Sequence, residues 1–266
     1  MHTHRTAFAA LCLVAAASVT LTACGDGDDS GNKSGKSGTK AGAKASAAAK
    51  KEPFAGLSGP QIVDKALKAT SGASSLRVKG SMAGDGGPGS IDLALDTKGQ
   101  CVGSIGSAGE GSIDLIGKGD TVYMRYDAAF LRSEMKGEPK TEVDGAIEMM
   151  ADRWTKSTAK GAEKKEFAEF CDLKTLLADF KGTGSVARKG KATTVDGVPA
   201  LTLHETDGKE RSTLYVAAEG EPYLLKAVHE PGKGKKPDTI VLTDFDKPVR
   251  ATPPNGDVLD LDELQD

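Results

Sequence analysis

Short segments in which apolar and polar residues alternate recur along this chain, and glycine-bearing turns separate them. Leu76, Val78, Gly80 and Met82 alternate with Arg77, Lys79 and Ser81, and Ile91, Leu93 and Leu95 alternate with Asp92, Ala94 and Asp96. A period of two sends successive side chains to opposite faces, so each segment predicts a strand with one buried and one wet face. The cluster Asp85-Gly86-Gly87-Pro88-Gly89 between them reads as a turn. Further strands are expected over Cys101 to Ile105, around the Ser-Ile-Asp-Leu of 112–115, and over Thr121 to Tyr126 after a Gly119-Asp120 turn. Four more follow at Ala200 to Glu205, Ser212 to Ala217, Tyr223 to Glu230 and Thr239 to Asp244, with Asp196-Gly197 as a hairpin signal before them.

Helical spacing replaces this alternation in two places. Ser58 and Gln61 have the offset of a capping box, Pro60 suits a first turn, and Ile62, Val63, Ala66 and Leu67 form one apolar face up to Gly72. Between 127 and 180 the period of two is lost. Val143, Ile147, Met150, Ala151 and Trp154 fit one helical face, and Phe167, Phe170, Cys171, Leu173, Leu176, Leu177 and Phe180 fit another. Strands joined by short turns imply antiparallel pairing. The expected class is therefore α+β, a long curved antiparallel sheet with helices packed on one face.

The N-terminus reads as export machinery. Arg5 and the free amine precede an apolar run from Ala7 to Leu21, too short for a spanning helix. The run ends in Leu21-Thr22-Ala23-Cys24, which resembles the lipobox of bacterial lipoproteins. Cleavage between Ala23 and Cys24 would leave Cys24 carrying a lipid. Residues 1–23 are then a lipoprotein signal peptide and residues 24–52 a tether. Gly25 to Glu52 hold no large apolar residue and cannot offset the entropy of ordering. As a flexible coil this segment spans roughly 30 Å. Residues 53–266 form the expected folded domain. Arg5 gives the leader +1, and six lysines against Asp26, Asp28, Asp29 and Glu52 give the tether +2, which leaves −6 of the chain's −3 on the domain. Such an acidic domain gives no support for nucleic-acid binding.

Of four cysteines, Cys12 leaves with the leader and Cys24 takes the lipid. Cys101 and Cys171 remain, an even pair in an oxidising compartment, and predict a disulfide. The alternative is two unrelated thiols.

The order of elements resembles the LolA-like and LppX-like lipoprotein carriers of bacterial envelopes, of actinobacterial type. The resemblance is carried by Ser75-Leu76-Arg77-Val78-Lys79-Gly80 after the first helix, by Gly119-Asp120-Thr121-Val122-Tyr123-Met124, and by Val195-Asp196-Gly197-Val198-Pro199-Ala200 running into Thr213-Leu214-Tyr215-Val216. Gly220-Glu221-Pro222-Tyr223-Leu224-Leu225 and Thr243-Asp244-Phe245-Asp246-Lys247-Pro248-Val249 complete it, over roughly residues 57–261. It implies a half-open barrel whose concave face is covered by helices, with an apolar space that holds acyl chains in several members. The alternating residues that would line it are Leu76, Val78 and Met82, then Leu93 and Leu95, then Ile113 and Leu115, and finally Leu201 and Leu203. The implied function is a lipoprotein on the outer face of the cytoplasmic membrane that binds or senses a lipid or glycolipid. The alternative is an interaction or regulatory module with a filled core and an envelope protein as partner.

No catalytic constellation accompanies these features. His204 and His229 lie in strands without carboxylates at ligand spacing, so neither suggests zinc. Gly84-Asp85-Gly86-Gly87-Pro88-Gly89 matches G-x-G-x-x-G but joins two strands and opens no helix. Gly35-Lys36-Ser37 ends like a P-loop with Ser30 at its first position. Ser133 and Lys136 fit S-x-x-K without its companion elements. Asp26, Asp28, Ser30 and Gly31 begin like a calcium loop whose twelfth position is Ser37. Asp92 and Asp114 are symmetric in the two Ser-Ile-Asp-Leu segments, and alternation puts both on a solvated strand face. The expectation is a protein without catalysis, metal or cofactor.

Overall fold

The computed structural model describes residues 53–84, 87–160, 171–178, 186–232 and 236–264, with the backbone alone at 82–84, 87–88, 178 and 207. The expected leader, the expected lipidation site Cys24 and the whole expected tether fall outside them, as do Phe167, Phe170 and Phe180. The first element is α1, Gly59–Gly72, and it begins as its sequence prescribes. Ser58 caps it: the Gln61 amide donates to the Ser58 hydroxyl, and the Ser58 amide donates to Gln61 Oε1 at 2.8 Å. Its apolar stripe is fully used, with Ile62, Val63 and Ala66 buried.

Five antiparallel strands follow as a meander: β1 (Ser75–Gly84), β2 (Gly87–Asp96), β3 (Gln100–Ser107), β4 (Gly111–Lys118) and β5 (Thr121–Tyr126). Two helices, α2 (Ala128–Glu134) and α3 (Lys140–Met150), lead into β6 (Trp154–Thr158), which pairs with β5. A short α4 (Leu173–Ala178) precedes the second meander of β7 (Arg188–Val195), β8 (Val198–Asp207), β9 (Glu210–Ala217), β10 (Leu224–Glu230) and β11 (Asp238–Thr243). Pairing of β11 with β1 fuses the meanders. The last strand, β12 (Val258–Asp260), pairs parallel to β6. The result is one curved, unclosed sheet of twelve strands with β12 and β7 at its edges.

Two-residue loops set the register. The β7–β8 hairpin turns at Asp196 (φ 48°) and Gly197 (φ 84°), the two positive angles that a turn matching strand twist requires. Gly119-Asp120 joins β4 to β5 in the same number of residues. Trp154 departs from its expected place on a helical face. The helix ends at Met150, Asp152 turns the chain at φ 57°, and Trp154 opens β6. The strands β6, β7 and β12 carry no clean alternation, and sequence patterning did not find them.

Most of the core lies on one face of the sheet, called the inner face here. Leu76, Val78, Leu93, Leu95 and Leu242 pack with Cys101, Cys171, Leu173 and Leu177, so α4 seals the middle of the sheet. Cys101 and Cys171 are bonded to each other, 70 residues apart. Cys101 pairs with Gly117 of β4, and Gly103 lies two residues along the same strand. Gly103 has no alternative: with φ 153°, an added Cβ would lie 1.9 Å from the Asp92 carbonyl oxygen. A second cluster joins α1 to Leu201, Leu203 and Val216. The helix end is pinned where the Leu224 amide donates to the buried Thr70 hydroxyl at 2.9 Å.

A bulge in β10 explains how adjacent leucines are both buried. The register slips between Leu224 and Lys226. Leu224 therefore joins the inner core, while Leu225 joins a third cluster with Val195, Ala200 and Ala217. Tyr223 and Phe245 stack on each other with ring centroids 4.0 Å apart and pack against that cluster. The Tyr223 hydroxyl donates to Asp246 at 2.6 Å, and Asp246 also accepts from the Ser74 amide and hydroxyl. The bond to Asp246 pushes the Tyr223 hydroxyl up to about 12. Its stabilising contribution is full below the unfolded value of 10.0 and is lost as pH rises through about 12. An ultraviolet titration should find one tyrosine ionising near that upper value, and Asp246→Asn should bring it back toward the ordinary range. Unchanged titration in the variant would mean that the carboxylate is not the cause.

Candidate functional site

The inner face is not uniformly sealed. One row of paired residues crosses four strands as Ile91, Ile105, Ile113 and Tyr126. Ile91 is buried, but Ile105, Ile113 and Tyr126 remain half-exposed. In the next row, Leu93 and Leu115 are buried while Met124 is half-exposed. Packing therefore loosens toward the end of the sheet where β4 and β5 meet α2. The Tyr126 ring stacks on Phe130 of α2 at 5.6 Å, and its hydroxyl donates to Met124 Sδ at 3.0 Å. Burial pushes the Tyr126 hydroxyl above its ordinary range. Beyond α2 lies α3, which buries none of its residues and keeps Val143, Ile147 and Met150 half-exposed. Ile105, Ile113, Met124, Tyr126 and Phe130 make an apolar, aromatic-bearing margin at this end of the inner face.

Asp127 holds this margin in place. It caps α2 by accepting from the Phe130 amide at 2.7 Å, and it accepts from the Ser112 amide and hydroxyl, each at 2.8 Å. Burial raises its carboxyl, and the bonds from Phe130 and Ser112 outweigh that, so its pKa lies below the ordinary value. A depressed carboxyl contributes stability above its unfolded pKa and loses it as pH falls. Asp127→Ala should cost about 1 kcal/mol, as for a lost helix cap, read as a lowered urea midpoint at neutral pH. The gap between variant and parent should close as pH drops through the acid range. A gap that persists in acid would assign the loss to packing.

Of the residues expected to line a cavity, eight have described side chains on the inner face, and seven of these fall in two separate groups. Leu76, Val78, Leu93, Leu95 and Leu115 belong to the α4 cluster, and Leu201 and Leu203 to the α1 cluster. Leu93, Leu95 and Leu203 have no exposure at all, so protein atoms fill the space around them. Ile113 alone among those described stands at the loose margin. Met82 lies in β1, and its side chain is outside the described set. Sequence patterning missed Met124, Tyr126 and Phe130, because a half-covered residue alternates no differently from a buried one.

The remaining chemistry is sparse. His204 is exposed and meets the Thr213 hydroxyl, while His229 meets Ser212 and lies 3.9 Å from Glu210. Among the described residues no three metal-ligating groups come together. Among them, too, no helix is long and apolar enough to cross a membrane. Asp92 and Asp114 face solvent on the outer side of the sheet, each held by an arginine.

The architecture is thus an open, curved antiparallel sheet carrying helices on its inner face. Helix, five-stranded meander, helices and second meander follow in the order that the resemblance to LolA-like and LppX-like carriers implies. No family model and no curated protein matches the sequence. Solved structures of similar outline include LprF from Mycobacterium bovis, with a TM-score of 0.48, 15% identity, and coverage of 74% of this chain and 97% of that one. A DUF1329 family protein from Desulfovibrio piger gives 0.24 at 12% identity over 72% and 92% of the two chains. An outer membrane lipoprotein-sorting protein domain from Vibrio parahaemolyticus gives 0.21 at 12% identity over 72% and 94%. The fold assignment rests on the strand order and registers above.

Proposed function

We propose that this protein is a membrane-tethered, extracytoplasmic lipoprotein without catalytic activity that holds an acyl chain at the loose margin of its inner face. The carrying observation is the contrast within that face. Leu93 and Leu95 of β2 are fully enclosed, whereas Ile105, Ile113, Met124 and Tyr126 of β3 to β5 remain half-exposed on the same side of the sheet. Burying an acyl chain there would gain about 0.8 kcal/mol per methylene and would cover the exposed apolar surface. The leader, the lipobox at Cys24 and the polar tether support anchoring through that cysteine to the outer face of the cytoplasmic membrane, with the domain held clear of the headgroups.

A second reading is an interaction module with a filled core and a protein partner, favoured by the dense packing around Leu76, Val78 and Leu203. Native mass spectrometry of residues 50–266, which form one compact unit, exported in an actinobacterial host, separates the two. A co-purifying lipid that disappears in Ile113→Asp supports the acyl site. A clean unliganded mass that takes up no added diacyl lipid would sink it and leave the interaction module.

A further inference from the structure

The outer face carries an ordered row of a different kind. Cross-strand pairing aligns Lys79, Asp92, Ser104, Asp114, Arg125 and Trp154 on six consecutive strands, β1 to β6. With strands about 4.8 Å apart, the row runs roughly 24 Å across the sheet. Within the row two cations meet two carboxylates, and Arg77 beside it adds a third cation. Arg77 Nε reaches Asp92 at 2.6 Å and Lys79 reaches it at 3.3 Å, while Arg125 Nε donates to Asp114 at 3.0 Å. Arg125 also lies over the Trp154 ring at 5.1 Å. These partners fix where each carboxylate and guanidinium points, and both carboxylates keep partial exposure.

The flanks of the row differ in chemistry. On one side the neighbouring register is apolar across its middle, with Ala94, Val102, Ile116 and Tyr123 in line between Arg77 and Lys156. On the other, Ser81 and Ser90 present exposed hydroxyls. The surface is furrowed along this path. A depression of about 390 Å³ over β1 to β3 and one of about 280 Å³ beside Trp154 share Asp92 and Ser104.

We propose that this furrow binds a linear neutral glycan lying across the strands. The chemistry matches on each count. Sugars offer apolar C–H faces and rows of hydroxyls, which fit an apolar floor, a hydroxyl rim and one aromatic wall. Internally paired charges supply oriented hydrogen-bond donors and acceptors without calling for a charged ligand. The strand spacing is close to the rise per residue of an extended hexopyranose chain, so successive sugars meet successive strands. The furrow is on the opposite face from the acyl margin, and this inference stands whether or not that site holds lipid.

Trp154 is the single tryptophan of the whole chain, so its fluorescence reports on this furrow alone. The full chain in detergent should be titrated with linear hexasaccharides of glucose, mannose, galactose and arabinose, with calorimetry in parallel. At least one should give a saturable fluorescence change and matching heat. Ser104→Phe, which fills the furrow from the solvent face, should weaken that binding about tenfold or more, equivalent to about 1.4 kcal/mol. Trp154→Ala, followed by heat alone, should weaken it similarly. The inference is overturned if no hexasaccharide saturates either signal, or if Ser104→Phe binds as well as the parent.

Discussion

Removing the Cys101–Cys171 bond is expected to lower the stability of the domain by about 4 kcal/mol on the chain-entropy account. The bond closes a loop of 70 residues, long enough that the unfolded chain loses much freedom when it is closed. Within that loop lie β4, β5, β6, α2 and α3, including the loose margin proposed to hold an acyl chain. Both cysteines are buried in the main cluster, so the bond also anchors α4 to β3. The measurement is urea unfolding of residues 50–266, which contain only these two cysteines. For a slope of about 2 kcal/mol per molar, the midpoint should fall by roughly 2 M in Cys101→Ala/Cys171→Ala. Reductant should shift the parent by a similar amount and leave the variant unmoved. A shift below about 1 kcal/mol would mean that the unfolded chain is already compact between these positions.

Leu93→Ala should cost about 3–5 kcal/mol, the range for a fully enclosed leucine whose surroundings collapse only in part. Leu93 has no exposure and is packed within the α4 cluster. Ile113→Ala, two strands away on the same face, should cost distinctly less, because Ile113 is half-exposed already. The pair of substitutions divides the inner face into structure and site. Leu93→Ala should reduce stability while acyl-lipid occupancy of the folded fraction persists. Ile113→Ala should reduce occupancy with a small change in the urea midpoint. A loss below about 1 kcal/mol for Leu93→Ala would show that the middle of the sheet is open and that the acyl site extends there.

Much of this fold is written locally. The Ser58–Gln61 box starts α1, Asp196-Gly197 turns β7 into β8, and β5 occupies Thr121 to Tyr126 as its alternation requires. Each of these depends on residues within a few positions of one another, where propensity and turn geometry act. The leucines of β1 and β2 likewise declare their buried face by period alone. Trp154 does not: helical spacing placed it after Met150, and a single left-handed residue at Asp152 sends it into a strand. β6 pairs with β5 and β12, so its strand character comes from partners distant in sequence.

The sequence by itself determined the class of fold, the first helix, most of the strands and the cysteine pair available for bonding. Tertiary structure alone decided which apolar residues are sealed and which stay accessible. Leu93 and Ile113 both alternate toward the inner face, yet α4 covers the first while the second stays half-exposed. The outer row from Lys79 to Trp154 was likewise invisible, because it exists only in the cross-strand register, which brings side chains from six separate strands onto one line.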